Sequence, residues 1–149
     1  MVARVSKRRT QKPLHAPVNA YTKLGFPRGT DSHVLSKAVW NEYGTETADG
    51  EEHIPERAFF RNGMKDSARQ FKSTLNRLGR KVLNGTLTSS QAVDQVGLFG
   101  VGKIQQSIVD LKDPPNAPST IARKGSSNPL IDTGNMRQSV THEVVEGTP

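Results

Sequence analysis

Apolar side chains recur at helical spacing in two long stretches of this chain and one short one. Met64, Ala68, Phe71, Leu75, Leu78 and Val82 are separated by 4, 3, 4, 3 and 4 residues. That is the stripe of an amphipathic helix, and Asn84-Gly85 supplies its stop. Lys65, Arg69, Lys72, Arg77, Arg80 and Lys81 fall on its other faces, the arrangement of a core helix with a solvated side. Thr88 and Gln91 form a capping box for a second helix. It carries Ala92, Val96, Phe99, Val101, Ile104, Ile108 and Leu111, with one slip in the pattern. Gly97, Gly100 and Gly102 lie inside it. Each glycine costs a helix about 0.5–1 kcal/mol relative to alanine, so three predict a close backbone approach or a kink near Gly100. The short helix starts at a cap from Asp31 or Ser32, places Val34, Leu35, Ala38, Val39 and Tyr43 near one face, and stops at Gly44. Trp40 is expected to pack beside that face.

Between these helices the pattern is weaker. Residues 1–30 show no periodicity and are interrupted by Pro13, Pro17 and Pro27, which predicts an extended arm. Residues 44–53 read as an exposed acidic loop with Glu46, Asp49, Glu51 and Glu52. Ile54 to Arg61 reads as an extended aromatic segment, so Phe59 and Phe60 are expected to point to opposite faces. Lys112 to Pro118 ends the second long helix, and Ser119 to Gly125 has the makings of one helical turn. Asp132 or Thr133 is a candidate cap for a short helix, and Val140 to Val145 alternates as a strand does.

Charge divides the chain more sharply than apolarity does. Arg4, Lys7, Arg8, Arg9, Lys12, Lys23 and Arg28 precede the first acidic residue, Asp31. They account for the whole net charge of +7, leaving residues 31–149 formally neutral. The basicity is thus assigned to the arm at 1–30 and the balanced part to a domain at 31–149. Only 33% of the residues are hydrophobic, against about 45–50% for typical chains counted with glycine. The expected core is modest, and neighbours are expected to contribute stability.

Several chemistries find no support. With no cysteine in the chain, disulfides and thiolate zinc sites are excluded. No apolar run approaches the ~18 residues of a membrane span, and no apolar stretch follows the basic N-terminus as in a signal peptide; the chain is expected to be made and kept in a cytoplasm. His15, His33, His53 and His142 have no ligand spacing. Gly100-Val101-Gly102-Lys103 lacks the frame of a phosphate loop. Asp132-Thr133-Gly134 is the triplet of aspartic proteases, but such triplets also cap helices, and the long helices argue against an almost all-β protease. The expectation is a protein that is not an enzyme and takes no cofactor or metal.

Separated blocks in one order carry a resemblance. Asn41-Glu42-Tyr43-Gly44-Thr45 and Ile54-Pro55-Glu56-Arg57-Ala58-Phe59-Phe60-Arg61 follow the pattern "NEFGT … IPARPFLR". With Ile104 to Ile108, Ser119 to Gly125 and Pro129 to Thr141, the chain resembles tailed-phage neck and tail-completion proteins, also called virion morphogenesis or minor tail-component proteins. The likeness spans about residues 34–145. Ala58 stands where that family usually has proline, and Phe60 where leucine is common.

The resemblance implies an α+β fold, a small sheet packed by one or two long helices; the extended basic arm at 1–30 lies outside the likeness and, with the long Pro/Gly loops, is expected from the residues themselves. It implies a structural virion protein at the head–tail joint, assembled in the host cytoplasm. Such a subunit forms a homo-oligomeric ring between the portal-connector assembly and the tail and borders the DNA channel. Its partners would be connector, portal-adaptor and tail proteins, and packaged double-stranded DNA. Arg4, Lys7, Arg8, Arg9 and Lys12 are the candidates for contact with DNA or a neighbour. Phe59, Phe60, Arg61, Pro114, Pro115, Arg123 and Asp132 are the candidates for subunit contacts, lying in apolar or proline-rich irregular stretches. The other reading of the same charge is a basic-armed protein that binds DNA without sequence preference.

Overall fold

The computed structural model describes residues 19–147. In chain order these form β1 (Ala20–Gly25), α1 (Ser32–Tyr43), β2 (Thr45–Glu46), β3 (Glu52–Ile54), α2 (Phe59–Asp66), α3 (Ala68–Leu83), α4 (Ser89–Asp110), α5 (Pro118–Lys124), α6 (Asn135–Gln138) and β4 (Thr141–Glu146). The fold is α+β, with two separate two-stranded antiparallel sheets, β1–β4 and β2–β3. No helix among the described residues is long and apolar enough to cross a membrane.

The long helix α4 is the axis on which α2, α3, α6, β1 and β4 lie. Its N-terminus has the expected capping box: Gln91 N donates to Thr88 Oγ1 at 3.1 Å and Thr88 N donates to Gln91 Oε1 at 3.0 Å. Its first half packs against α3, where Leu78, Val82, Ala92 and Val96 form one buried cluster with Phe71 and Leu87 at its margin. The Phe71 and Phe99 rings meet edge to face at 5.0 Å. The second half of α4 carries Ile104 and Ile108 into the main core, with Ala38, Phe59, Leu130, Met136 and Val140.

The glycines of α4 explain how the sheet reaches it. β1 pairs with β4 from Ala20↔Glu146 to Gly25↔Thr141, and this ribbon lies on α4. A Cβ on Gly97 would overlap the His142 imidazole and come within 2.6 Å of Thr22 Oγ1; one on Gly100 would meet Leu24 Cδ2 at 2.8 Å. α4 runs unbroken from Ser89 to Asp110, and Gly97 and Gly100 serve close approach. Two turns further along α4, Gly63 of α2 sits against Ser107 and Ile104, and Ser107 Oγ donates to Phe59 O at 2.7 Å. His142 Nε2 and Asp94 Oδ1, 2.9 Å apart, tie β4 to α4.

Four expectations change. The arm does not extend to residue 30, because Ala20–Gly25 is a strand of the body. Its inward positions hold only Ala20, Thr22 and Leu24, small enough for a helix face of glycines and too weakly apolar to read as a strand. The loop at 44–53 is a small hairpin, closed by Thr47 N donating to Glu51 O at 2.8 Å. The long stripe is two helices meeting at Ser67, because the buried row runs through Phe59, Gly63 and Ser67, whose last two members give no apolar signal, while Met64 and Leu75 are exposed. On α1 the inward side chains are Val34, Ala38, Asn41 and Glu42. Leu35, Val39, Trp40 and Tyr43 face outward.

Gly97→Ala is expected to destabilise the fold by about 1–3 kcal/mol through overpacking. Gly102→Ala, where nothing lies within 4 Å, should stabilise α4 by roughly 0.5–1 kcal/mol. Urea unfolding midpoints measure both; equal midpoints for the two variants would refute the close approach at Gly97.

Candidate functional site

α2 begins inside the protein without a cap of its own. Its N-cap is Ala58, which has no side-chain acceptor. The first amides of a helix need partners when buried, and here they come from the last turn of α1. Glu42 Oε2 accepts from Phe60 N at 2.8 Å and Glu42 Oε1 accepts from Arg61 N at 3.0 Å. A carboxylate from one helix thus does for another what an Asp or Ser N-cap does locally, and it meets the positive end of the helix dipole.

Arg61 closes the arrangement from outside. Its Nε donates to Glu42 Oε1 at 3.0 Å, while Nη2 donates to Glu42 O at 2.7 Å and Glu56 Oε1 at 2.9 Å. The guanidinium also stands 5.0 Å from the centroid of the Tyr43 ring. The hydrogen bond to Glu42, ahead of the charge of Glu56, raises the Arg61 pKa above its ordinary value. Gly44 makes the geometry attainable. Its φ of +73° favours glycine, and a Cβ there would lie 3.0 Å from Ile54 O and 3.1 Å from Glu56 N.

Arg57, buried at 5% exposure, joins a third segment. Nη1 donates to Asn41 Oδ1 at 3.0 Å, Nε to Pro114 O at 2.8 Å and Nη2 to Pro115 O at 2.9 Å. Its backbone N donates to Asn41 O. The Asp113-Pro114 peptide is cis. The blocks 41–45 and 54–61, separated in sequence, therefore meet in one polar network that also holds the proline loop.

Beside the network lies an open cleft of about 950 Å³. α1 contributes Val34, Lys37 and Asn41 to it, the β3 end contributes His53 to Pro55, and α5 contributes Arg123 and Lys124. Pro115 and Asp132 complete one side. Lys124 Nζ donates to Asn128 O at 3.0 Å. Burial, opposed by the charge of Asp132, lowers its pKa.

The candidates from sequence fall in different places. Phe59 is 1% exposed and belongs to the interior of its own chain, so the contact with a neighbour expected of it is replaced by contacts with α4. Phe60 follows it on the helix and packs half-buried against the same core; the expected extended segment with two opposed faces is not formed. Arg61, Pro114 and Pro115 belong to the network. Arg123 and Asp132 sit exposed at the cleft. The cap of α6 is Gly134, at φ +83°, rather than Asp132 or Thr133. Arg4, Lys7, Arg8, Arg9 and Lys12 lie outside the described residues. Among the described residues no group of three or more His, Asp or Glu could hold a metal ion. Sequence reasoning passed over Glu42 and Arg57. Their signal was positional: Glu42 lies one turn after Ala38 on the inward face of α1, where a charge needs a partner.

Glu42→Ala should cost about 3 kcal/mol, because it strands two helix amides and removes a charged acceptor. Glu42→Gln should cost roughly half, since its carbonyl still accepts. Arg61→Ala, at an exposed side chain, should cost less than either. Denaturant unfolding of the three variants checks the order, and a neutral Glu42→Ala would show that the cap carries no stability. For Lys124 the unfolded chain binds the proton more tightly, so its burial opposes folding at neutral pH. That penalty is relieved as pH rises from the lowered value toward 10.5. The stability difference, wild type minus Lys124→Met, should therefore increase across this alkaline window; a flat or falling difference would contradict the burial.

Searches of family models, curated proteins and solved structures find no match to this chain.

Proposed function

We propose that this chain is a structural virion protein of the phage head-to-tail interface. In that role it is a ring subunit that joins the portal-connector assembly to the tail and borders the DNA channel. The observation that carries the reading is the outward face of α1. Leu35, Val39, Trp40 and Tyr43 are 37–66% exposed on one short helix. Clustered exposed apolar side chains of this size suit a surface that another chain covers. The face is held rigid at its end by Glu42 and Arg61, within the blocks that carry the resemblance to neck proteins.

A small core supports the same reading. The fully buried large side chains are Phe59, Leu78, Ile104 and Ile108, few for the described length, so neighbours in a ring would contribute stability by mass action. A ring uses one such face against a different face of the next copy. Arg123, Asp132 and Pro115 at the cleft are the candidates for that second face.

Val39→Asp combined with Trp40→Asp should leave the chain folded by circular dichroism and convert the oligomer to monomer by light scattering. An unchanged mass would remove α1 from the interface. The functional test is electron cryo-microscopy of virion necks carrying tagged copies. A ring of tag density at the head–tail joint is expected; virions with no tag there would sink the neck reading.

A further inference from the structure

The formal neutrality of residues 31–149 conceals a local separation of charge. No Asp or Glu occurs between Asp66 and Asp94. Within that interval α3 carries Arg69, Lys72, Arg77, Arg80 and Lys81. Leu78 and Val82 of the same helix point into the cluster with Ala92 and Val96. At 100° per residue, Arg69, Lys72, Asn76, Arg77 and Arg80 fall on the side away from that cluster. All five are exposed, and together with Ser73 they line one shallow groove along the helix. Among the described residues, none of these four cations takes part in an ion pair.

We propose that this outer face of α3 binds the phosphate backbone of duplex DNA. Four cations with no ion pair among the described residues, spanning about 16 Å along one helix face from Arg69 to Arg80 at 1.5 Å per residue, meet a polymer with one charge per ~1.7 Å of axis. Ser73 and Asn76, set between them, are neutral donors of the kind that also bond phosphate oxygens. The face has no aromatic ring, since Phe71 turns inward to Phe99. It therefore lacks the stacking platform that single strands require. A membrane surface fits less well, because Phe71, Leu78 and Val82 of α3 are committed to the cluster with α4 and only Leu75 and Leu83 of its large apolar side chains are exposed. Contact through phosphates alone makes the binding independent of base sequence. The inference stands apart from the neck reading: it needs only the folded chain and a duplex.

The test uses the full chain and fluorescence anisotropy on a mixed-sequence duplex over a series of salt concentrations. The probe variant combines Arg69→Gln, Lys72→Gln, Arg77→Gln and Arg80→Gln. A control with the same loss of charge combines Lys23→Gln, Lys103→Gln, Lys112→Gln and Arg137→Gln. Circular dichroism and unfolding midpoints establish that both variants fold. Loss of the four contacts should make the slope of log K against log salt shallower by about 3–4. That slope change corresponds to about a 100-fold smaller loss of affinity across a fourfold rise in salt. The control should retain most of the slope. Equal effects of the two variants would reduce the matter to net charge and overturn the site. An unchanged slope in the α3 variant, with binding abolished by replacing Arg4, Lys7, Arg8, Arg9 and Lys12 with Ala, would assign DNA contact to the N-terminal segment and overturn it as well. Tighter binding to single strands, or binding to phosphatidylserine vesicles but not to duplex, would likewise refute it. A positive result with virions that lack the protein at the neck would leave this inference standing while the neck reading fell.

Discussion

The fold depends on a buried helix start that cannot satisfy itself. Ala58 offers α2 no acceptor, and the amides of Phe60 and Arg61 would be stranded without Glu42. Meeting that need fixes the last turn of α1 against the first turn of α2. It also sets the direction in which α2 descends along α4 with Gly63 at the contact. Arg57 extends the constraint to the carbonyls of Pro114 and Pro115, so the loop after α4 is referred to the same point. A buried carboxylate is costly alone, and its two amides and one guanidinium supply the partners that make it tolerable.

From that fixed point the outer face of α1 and the cleft beside it acquire definite shapes. Val39, Trp40 and Tyr43 cannot turn inward, because the inward positions of α1 are filled by Ala38, Asn41 and Glu42. The same constraint that organises the interior therefore leaves large apolar side chains outside. A polar network in the core and an apolar surface on the same helix belong together: one helix face cannot hold both sets.

Much of the architecture was legible in the sequence, and the failures share a physical cause. Caps and stops were readable, since Asp31, Thr88 with Gln91, Gly44 and Asn84-Gly85 act through local backbone chemistry. The helix α4 was readable from its apolar period. The strand β1 was not, because its inward residues face glycines and need not be large. The break at Ser67 was hidden for a related reason: Gly63 and Ser67 are buried by closeness of backbones, which apolar spacing does not register. The inward face of α1 was misassigned because two of its four members are polar and paired at long range. Glu42 and Arg57 could be recognised only by asking what a charge on a buried face would bond to.

The ladder between β1 and β4 joins Ala20 to Glu146, opposite ends of the described chain. Six helices lie between them and can begin to form from local contacts as the chain is made, while this ribbon must wait. Until Thr141–Glu146 leaves the ribosome, α4 carries its glycine face bare, and β1 has no strand partner among the described residues. Synthesis order thus makes β4 the latch of the fold, and a chain that stalls before it would hold formed helices around an unclosed seam.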